Sequence, residues 1–368
     1  MKSNLFQHKH KFELEKGGYL PELEIKYHTA GKLNKDRSNV IWACHALTAN
    51  SDVFEWWPGL FGKDDFFNPD EYFIISANII GSCYGSTGPL SINPETDMKY
   101  HHDFPEITVK DMVKAHQLLR GNLGIDKIHL LIGGSLGGQQ ALEWAIQEPE
   151  KITNLALIAT NARMSPWGIA FNESQRMAIS ADPSWKEAKD DAGSNGLMAA
   201  RSIALLSYRN AVTYNTTQSE DDNDLPDTFR VESYQRYQGE KLVKRFNSFS
   251  YWNLSKVLDS HNVGRGKRNI RDALRSIKAR TIVIGIESDL LFPISEQKFL
   301  ASYIPNAIYK RISSLYGHDG FLIETEKLAE AFQKFLGKRT IMKLNEVAAW
   351  NHLTFGHDRF YLYSIKSS

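Results

Sequence analysis

Residues 128–146 read IHLLIGGSLGGQQALEWAI. An apolar run of strand length passes straight into G-G-S-L-G, and then into a segment where Ala141, Leu142, Ala145 and Ile146 recur at helical spacing. A strand that reverses sharply into a helix brings backbone segments together and needs unusual dihedrals, so small residues must flank Ser135. The order strand, G-x-S-x-G, helix matches a nucleophile elbow, in which the serine hydroxyl stands at the tip. The first N–H groups of a helix lack intrahelical partners, so the main chain of Leu136 becomes a donor for a developing oxyanion. The competing reading is a glycine-rich surface turn whose serine merely caps a helix. The flanking strand and helix weigh against it.

Other apolar runs surround this one: VIWAC at 40–44, YFIISA at 72–77 and LALIA at 155–159. Their alternation with helical patterns predicts βα units around a mostly parallel sheet. Residues 106–120 place Ile107, Met112, Val113, Leu118 and Leu119 near helical spacing, and Asn122 and Gly124 mark the exit of that crossover helix. After Asn161 the rhythm breaks, and the chain to about residue 278 mixes helical stretches with the polar run SEDDNDLPD. TIVIGI at 281–286 resumes the sheet, a helix follows over 293–303, AIYKRI at 307–312 is a further strand, and LIETEKLAEAFQKFL supplies a last helix. The expected organisation is a catalytic α/β domain split over 1–161 and 279–338, an inserted helical cap over 162–278, and a C-terminal extension over 339–368 with no assignable role.

A serine hydroxyl is a weak nucleophile until a histidine takes its proton, and that histidine needs a carboxylate to fix its tautomer. In this order of elements the acid and the histidine follow the serine. Of the twelve histidines, only His261, His318, His352 and His357 lie beyond Ser135. His318, in SSLYGHDGFLIE, falls between a strand and the last helix, on a loop at the sheet edge. Asp289, in TIVIGIESDLLFP, follows a strongly apolar strand and leaves room for one helix and one strand before His318. Glu287 competes as the acid because it is nearer the strand. The triplet Gly356, His357, Asp358 repeats the GHD of 317–319, but after the last core helix. His45, after the first strong strand, reads as an organiser of the oxyanion loop or as a satisfied core histidine.

Composition narrows the classes of function. In 368 residues, 44 Lys plus Arg balance 43 Asp plus Glu for a formal charge of +1, which supplies no general field for nucleic acid or anionic membrane. Two cysteines, Cys44 and Cys83, exclude a disulfide framework and read as small buried hydrophobes. No apolar run approaches the length of a membrane span, and the start MKSNLFQHKHKFELEKGG has no signal-like apolar segment, so a cytoplasmic location is expected. NIIGSCYGSTGPLS at 78–91 lacks the terminal G-K-[ST] of a phosphate loop and reads as a structural turn. RGKR at 265–268 reads as a solvated basic loop. Arg209, in IALLSYRN, could pair bidentately with a substrate carboxylate or form an ordinary surface salt bridge.

Taken together, CHALT at 44–48, NIIGSCYGSTGP at 78–89, DFPEITVKDMVKAHQLL at 103–119, GGSLGGQQALEWA at 133–145, LSYR at 206–209, LDSHNVGRG at 258–266, ESDLLFPISEQ at 287–297 and GHDGFLIE at 317–324 resemble the homoserine O-acyltransferase family of the α/β-hydrolase fold, most of all its acetyltransferases. The resemblance implies Ser135 as acyl acceptor, His318 as general base and acid, Asp289 as its orienting carboxylate, and oxyanion donors on the backbones of Leu47 and Leu136. It implies that Arg209 holds the carboxylate of homoserine and Asp319 its amino group. The implied reaction is ping-pong, with acetyl-CoA as acyl-donor substrate, no permanently bound cofactor, no metal, and a homodimer formed through the cap helices. A succinyl donor, or a serine esterase or thioesterase delivering the acyl group to water, is the alternative. One departure stands out: the family commonly follows HALT with glycine and aspartate, and this chain has Ala49 and Asn50.

Overall fold

The central element is an eight-stranded sheet whose strands, in chain order, are β1 Lys2–His8, β2 Leu23–Ala30, β3 Val40–Cys44, β4 Phe73–Ala77, β5 Ile128–Gly134, β6 Ile152–Ile158, β7 Arg280–Ile286 and β8 Ile308–Ile312. The spatial order is β1-β2-β4-β3-β5-β6-β7-β8. Strands β3 to β8 run parallel, while β2 pairs antiparallel with both β1 and β4. This computed structural model describes residues 1–221 and 224–337. It contains two compact units, Met1–Ala331 and Phe332–Ser368. The tail over 339–368 and the repeated triplet at 356–358 lie outside the described residues.

The inner parallel strands are buried on both faces and read as continuous apolar runs, as β3, β5 and β7 do, while the edge strand β8 is mostly exposed. Two helices flank the middle of the sheet: α1 Val109–Asn122 and α2 Leu136–Gln147. α1 begins three residues later than the apolar pattern predicts, because Thr108 and Asp111 cap it reciprocally: the Thr108 hydroxyl accepts from the Asp111 N–H, and the Asp111 carboxylate from the Thr108 N–H at 2.8 Å. Between α1, α2 and β3, Trp42 and Trp144 meet edge to face at 5.0 Å in the core.

Among the described residues the elements between β6 and β7 are helical: α3 Pro166–Ser180, α4 Ser194–Tyr208, α5 Ala211–Thr217, α6 Arg230–Val243, α7 Ser248–Ser260 and α8 Ile270–Arg275, with a 3-10 turn at Pro183–Lys186. Most begin on a side-chain cap, Ser165 for α3, Asn210 for α5, Asn247 for α7 and Asn269 for α8. After β7 come α9 Ile294–Tyr303 and, past β8, α10 Thr325–Leu336. The sequence pattern runs one helix from 322 to 336. The chain instead forms a separate short helix at Gly320–Ile323 and leaves helical geometry at Glu324, ψ 48°. Among the described residues no helix is long and apolar enough to cross a membrane.

Candidate active site

The segments that carry Leu47, Ser135, Asp289 and His318 leave the carboxyl ends of parallel strands, the edge of an open α/β sheet where ligands bind, whereas Arg209 stands at the end of α4. Cys44, Gly133, Gly134 and Ile158 are in register at the ends of β3, β5 and β6. Ser135 follows β5 directly and precedes α2, with φ 56° and ψ −125°. That non-glycine conformation costs about 1–3 kcal/mol and persists only where its surroundings fix it. Three contacts do so here. The Ser135 N–H donates to the Ile158 carbonyl at 3.0 Å, and its carbonyl accepts from Gln139 N–H at 3.1 Å and from the Thr160 hydroxyl at 2.9 Å.

Leu136 is the first residue of α2, so its N–H has no intrahelical partner. The start of that helix lies against the end of β3: a Cβ on Gly137 would be 2.1 Å from the Cys44 carbonyl oxygen. The loop that carries Leu47 leaves β3 at this point. Fully buried His45 holds the loop with both ring nitrogens, Nδ1 against the Ala46 carbonyl at 2.8 Å and Nε2 against the Ile79 N–H at 3.1 Å. This assigns the neutral Nδ1–H tautomer, consistent with burial pulling its pKa down to about 4. Gln140 of α2 donates to the His45 carbonyl at 3.1 Å. His45 therefore organises the loop and takes no part as a base. Asn50 turns toward the following short helix, donating to Glu55 and accepting from the Asp52 N–H, while Ala49 N–H closes a turn onto Ala46.

At the other side of the edge, Asp289 follows β7. Its Oδ1 accepts from the N–H groups of Leu291 and Phe292 at 2.8 Å each, and its Oδ2 lies 2.7 Å from His318 Nδ1. Both side chains are buried. Glu287, the competing acid, points outward and pairs with Arg311 at 3.3 Å. With Nδ1 donating to Asp289, Nε2 of His318 is left to accept a proton. Burial works against the charged imidazole, but Asp289 beside it and Asp319 nearby outweigh burial and hold its pKa above the ordinary value.

The His318 ring is enclosed by Phe292, Phe321 and Tyr208, with centroids at 5.1, 5.2 and 5.8 Å. Phe321 also packs over Gly134, where a Cβ would lie 2.5 Å from its ring. One aromatic ring thus touches both the candidate base and the residue before Ser135. Among the described residues, the Ser135 hydroxyl and the His318 ring make no direct hydrogen bond. Such bonds are commonly long without substrate and tighten in the reacting complex.

The two charged residues expected to meet an acceptor also come together. Arg209 caps the end of α4 and its Nε lies 2.8 Å from Asp319 Oδ2, with both side chains largely buried. Gly317, φ 60°, makes the approach possible: a Cβ there would be 2.8 Å from the Tyr208 carbonyl oxygen. The end of α4 therefore rests on the turn that carries His318 and Asp319. Of the other histidines, buried His261 spends Nε2 on the Asn161 carbonyl at 3.1 Å and is driven by burial to a pKa of about 3. Arg265 of the RGKR loop is engaged bidentately by Glu15 at 2.9 and 2.8 Å. Cys44 is buried and Cys83 partly so. Among the described residues no cluster of His, Cys, Asp or Glu could hold a metal ion.

Sequence reading passed over one group behind this site. Glu296, half-buried in the first turn of α9, accepts from Asn161 Nδ2 at 3.0 Å, and Asn161 Oδ1 in turn accepts from Gln139 Nε2 at 3.0 Å. Burial, with Asp289 nearby, raises its pKa to about 7 despite the hydrogen bonds it accepts. The only signal in the sequence was its position seven residues after Asp289, too weak to separate it from any helix-start glutamate.

Comparison with known proteins agrees with this fold. A family model described as alpha/beta hydrolase fold matches residues 39–325. The structure is similar to that of esterase E22, with a TM-score of 0.83 over 91% of this chain and 99% of the other at 23% identity, a likeness of fold alone. It is also similar to homoserine O-acetyltransferase from Staphylococcus aureus, with a TM-score of 0.76 at 27% identity, covering 98% of this chain and 100% of that one. In sequence it is 47% identical over 335 residues to homoserine O-acetyltransferase of Cyclobacterium marinum, covering 91% of this chain and 95% of that relative. With the fold and the elements bearing Ser135, Asp289 and His318 in place, the chain belongs to the homoserine O-acetyltransferase family within the α/β-hydrolase fold.

Proposed function

We propose that the protein is a homoserine O-acetyltransferase that moves an acetyl group from acetyl-CoA to the hydroxyl of L-homoserine through an acyl-enzyme on Ser135. The observation that carries this reading is the buried Asp289–His318 pair at 2.7 Å, packed through Phe321 against the residue that precedes Ser135. In the first half-reaction Ser135 Oγ gives its proton to His318 Nε2 and attacks the thioester carbonyl. The oxyanion is met by the N–H groups of Leu47 and Leu136, and the carbon–sulfur bond breaks as His318 returns the proton to the leaving thiolate. In the second, the acceptor hydroxyl gives its proton to the same nitrogen and attacks the acyl carbonyl. The ester to Ser135 breaks, and the proton goes back to Oγ.

Arg209 is assigned to the acceptor carboxylate and Asp319 to its ammonium group. Their mutual pairing at 2.8 Å supports this, because opposite charges already held together suit a zwitterion. The division into a catalytic domain over 1–161 and 279–338, a cap over 162–278 and an extension over 339–368 belongs to the same proposal, as does a homodimer through the cap helices. The succession of helices between β6 and β7 supports the cap.

The test is to incubate the protein with L-homoserine and a set of acyl-CoA donors, acetyl and succinyl included, and to identify the products by mass. O-acetylhomoserine as the main product is expected. O-succinylhomoserine would move the assignment to the succinyl donor. Equal consumption of acetyl-CoA with and without homoserine would move it to hydrolysis, as in an esterase.

A further inference from the structure

The Leu47 N–H, assigned to the oxyanion, shares a peptide unit with the Ala46 carbonyl. A trans peptide is planar with its N–H and C=O opposed, so whatever grips the Ala46 oxygen aims the Leu47 N–H the other way. Two donors grip it, His45 Nδ1 at 2.8 Å and the Ala49 N–H at 3.1 Å. The Ala49 N–H in turn shares a peptide unit with the Thr48 carbonyl. That carbonyl accepts from Arg245 Nη1 at 2.5 Å and from the Tyr84 hydroxyl at 3.4 Å, and the same hydroxyl accepts from Arg245 Nη1 at 2.5 Å.

The result is a relay of two peptide units. The guanidinium donates to the Thr48 carbonyl, the Ala49 N–H donates to the Ala46 carbonyl, and the Leu47 N–H is left for the oxyanion. Every bond runs in one direction, so the dipoles lie head to tail with a permanent cation at the start. Each bond in such a chain polarises the next, and the last N–H gains donor strength where negative charge develops. His45 is neutral and supplies orientation, whereas Arg245 supplies orientation and charge. Arg245 stands between α6 and α7, and its neighbours fix it there. Phe246 meets the Tyr84 ring edge to face at 5.8 Å, Asn78 Nδ2 donates to the Tyr84 carbonyl at 2.8 Å, and Cys83 Sγ donates to the Arg245 carbonyl at 3.6 Å. The Arg245 side chain itself is exposed, so its removal opens no cavity in the core.

We propose that Arg245 is a positioning residue for the oxyanion hole, aiming and polarising the Leu47 N–H through the two peptide units that join Ala46 to Leu47 and Thr48 to Ala49. The inference rests on the acyl-transfer reading and on Leu47 as an oxyanion donor. An oxyanion forms in both half-reactions, so a loosened donor slows both, whereas a group that grips coenzyme A or the acceptor affects one. The experiment compares wild type with Arg245→Ala, Arg245→Lys and Tyr84→Phe, each checked for a native thermal melt. Single-turnover release of coenzyme A from acetyl-CoA reports acylation. Release of p-nitrophenolate from p-nitrophenyl acetate reports acylation without coenzyme A, and transfer to L-homoserine reports the second half-reaction.

Losing an oxyanion donor outright costs about 10²–10³ in rate, and misdirecting one costs part of that. Arg245→Ala is therefore expected to slow all three steps by about tenfold, while KM for L-homoserine stays within about twofold of wild type. Arg245→Lys, which keeps the charge, should recover part of the loss, and Tyr84→Phe should slow the same steps by a smaller factor. A loss with acetyl-CoA but none with p-nitrophenyl acetate would assign Arg245 to coenzyme A and overturn the proposal. So would wild-type rates in all three steps, or a defect confined to KM for L-homoserine. A wild-type protein that releases neither coenzyme A nor p-nitrophenolate would instead overturn the acyl-transfer reading itself.

Discussion

Replacing Asp289 by asparagine removes one charge and almost nothing of the shape, so its consequences follow from hydrogen-bond directions alone. All three neighbours of the carboxylate are donors: the N–H groups of Leu291 and Phe292 at 2.8 Å on Oδ1, and His318 Nδ1 at 2.7 Å on Oδ2. An amide has a single oxygen, and the two backbone donors claim it. The amide NH2 then faces Nδ1, which must accept, and the ring proton moves to Nε2, the atom proposed to take the proton of Ser135. The wrong tautomer is expected to lower kcat about 10⁴-fold, the effect of this exchange in serine proteases. That corresponds to about 5.5 kcal/mol of transition-state stabilisation. Stability should fall far less, by about 1–3 kcal/mol, since charge-assisted bonds are exchanged for neutral ones and none is left unmade. The pH profile supplies an independent sign. In the wild type Asp289 and Asp319 overcome burial to raise the His318 pKa, so activity falls as pH drops through a value above the ordinary histidine range. Without the Asp289 charge burial gains ground, and the acid limb of residual kcat/KM must move to lower pH. Steady-state rates from pH 5 to 9, with urea unfolding on the same samples, measure both effects. A variant that melts like wild type and keeps kcat within tenfold, or whose acid limb moves upward, would refute the assignment of Asp289.

Three further outcomes follow from the same geometry. Ser135→Gly should abolish the acyl-enzyme and raise unfolding stability by about 1 kcal/mol, since glycine occupies φ 56° without strain; an unchanged or lower urea midpoint would deny that the turn stores strain. Gly137→Ala should cost about 3 kcal/mol or more, because the new methyl would sit 2.1 Å from the Cys44 backbone oxygen, where no flexible side chain gives way; a melt within 1 °C of wild type would contradict it. Glu296→Gln should leave stability unchanged at pH 4 and raise it at pH 8. The folded-state pKa of about 7 lies above the unfolded one, so the wild type loses stability as pH rises through that interval. After allowance for solvent screening of a half-buried group the gain is about 2 kcal/mol, and thermal melts at the two pH values would show a difference of the opposite sign if the carboxyl were ionised throughout.

The parallel part of the sheet was legible because its inner strands are apolar on both faces, and each run found in the sequence matches a strand to within three residues at either end. β2 was also present in principle: Leu23, Ile25 and Tyr27 are buried and alternate with half-exposed Glu24, Lys26 and His28, a period-two pattern at an antiparallel edge. β1 was not. Its residues are mostly exposed, and it is held by a seven-pair ladder to β2 that no hydrophobic pattern records. Ser135, Asp289 and His318 stood out because each follows a strand end. The groups that enclose them did not. Tyr208, Phe292 and Phe321 are ordinary core aromatics in sequence, and only the folded chain puts their rings around one imidazole. Arg209 and Asp319 were suggested by resemblance, yet their pairing depends on the left-handed Gly317 that lets α4 rest on the His318 turn.

On the proposed reading, the pairing of Arg209 with Asp319 bears on how the site would choose homoserine over water, since His318 would serve any hydroxyl brought to it. A lone buried ion would demand hydration and draw water toward the acyl-enzyme. Two opposite charges at 2.8 Å satisfy one another, so the pocket can stay dry until an acceptor arrives. A zwitterion can enter such a pair by replacing each charge's partner with its own, keeping every ion compensated throughout, and its hydroxyl is then held at high effective concentration. Water has no charges to exchange and is left to find the acyl carbonyl unaided. On this argument, the rate of acyl-enzyme hydrolysis should rise when the pair is broken from one side only. Asp319→Asn, which strands the Arg209 cation and invites solvent, should therefore shorten the acyl-enzyme lifetime in the absence of homoserine. If that lifetime instead lengthens or stays the same, selection against water must arise elsewhere in the pocket.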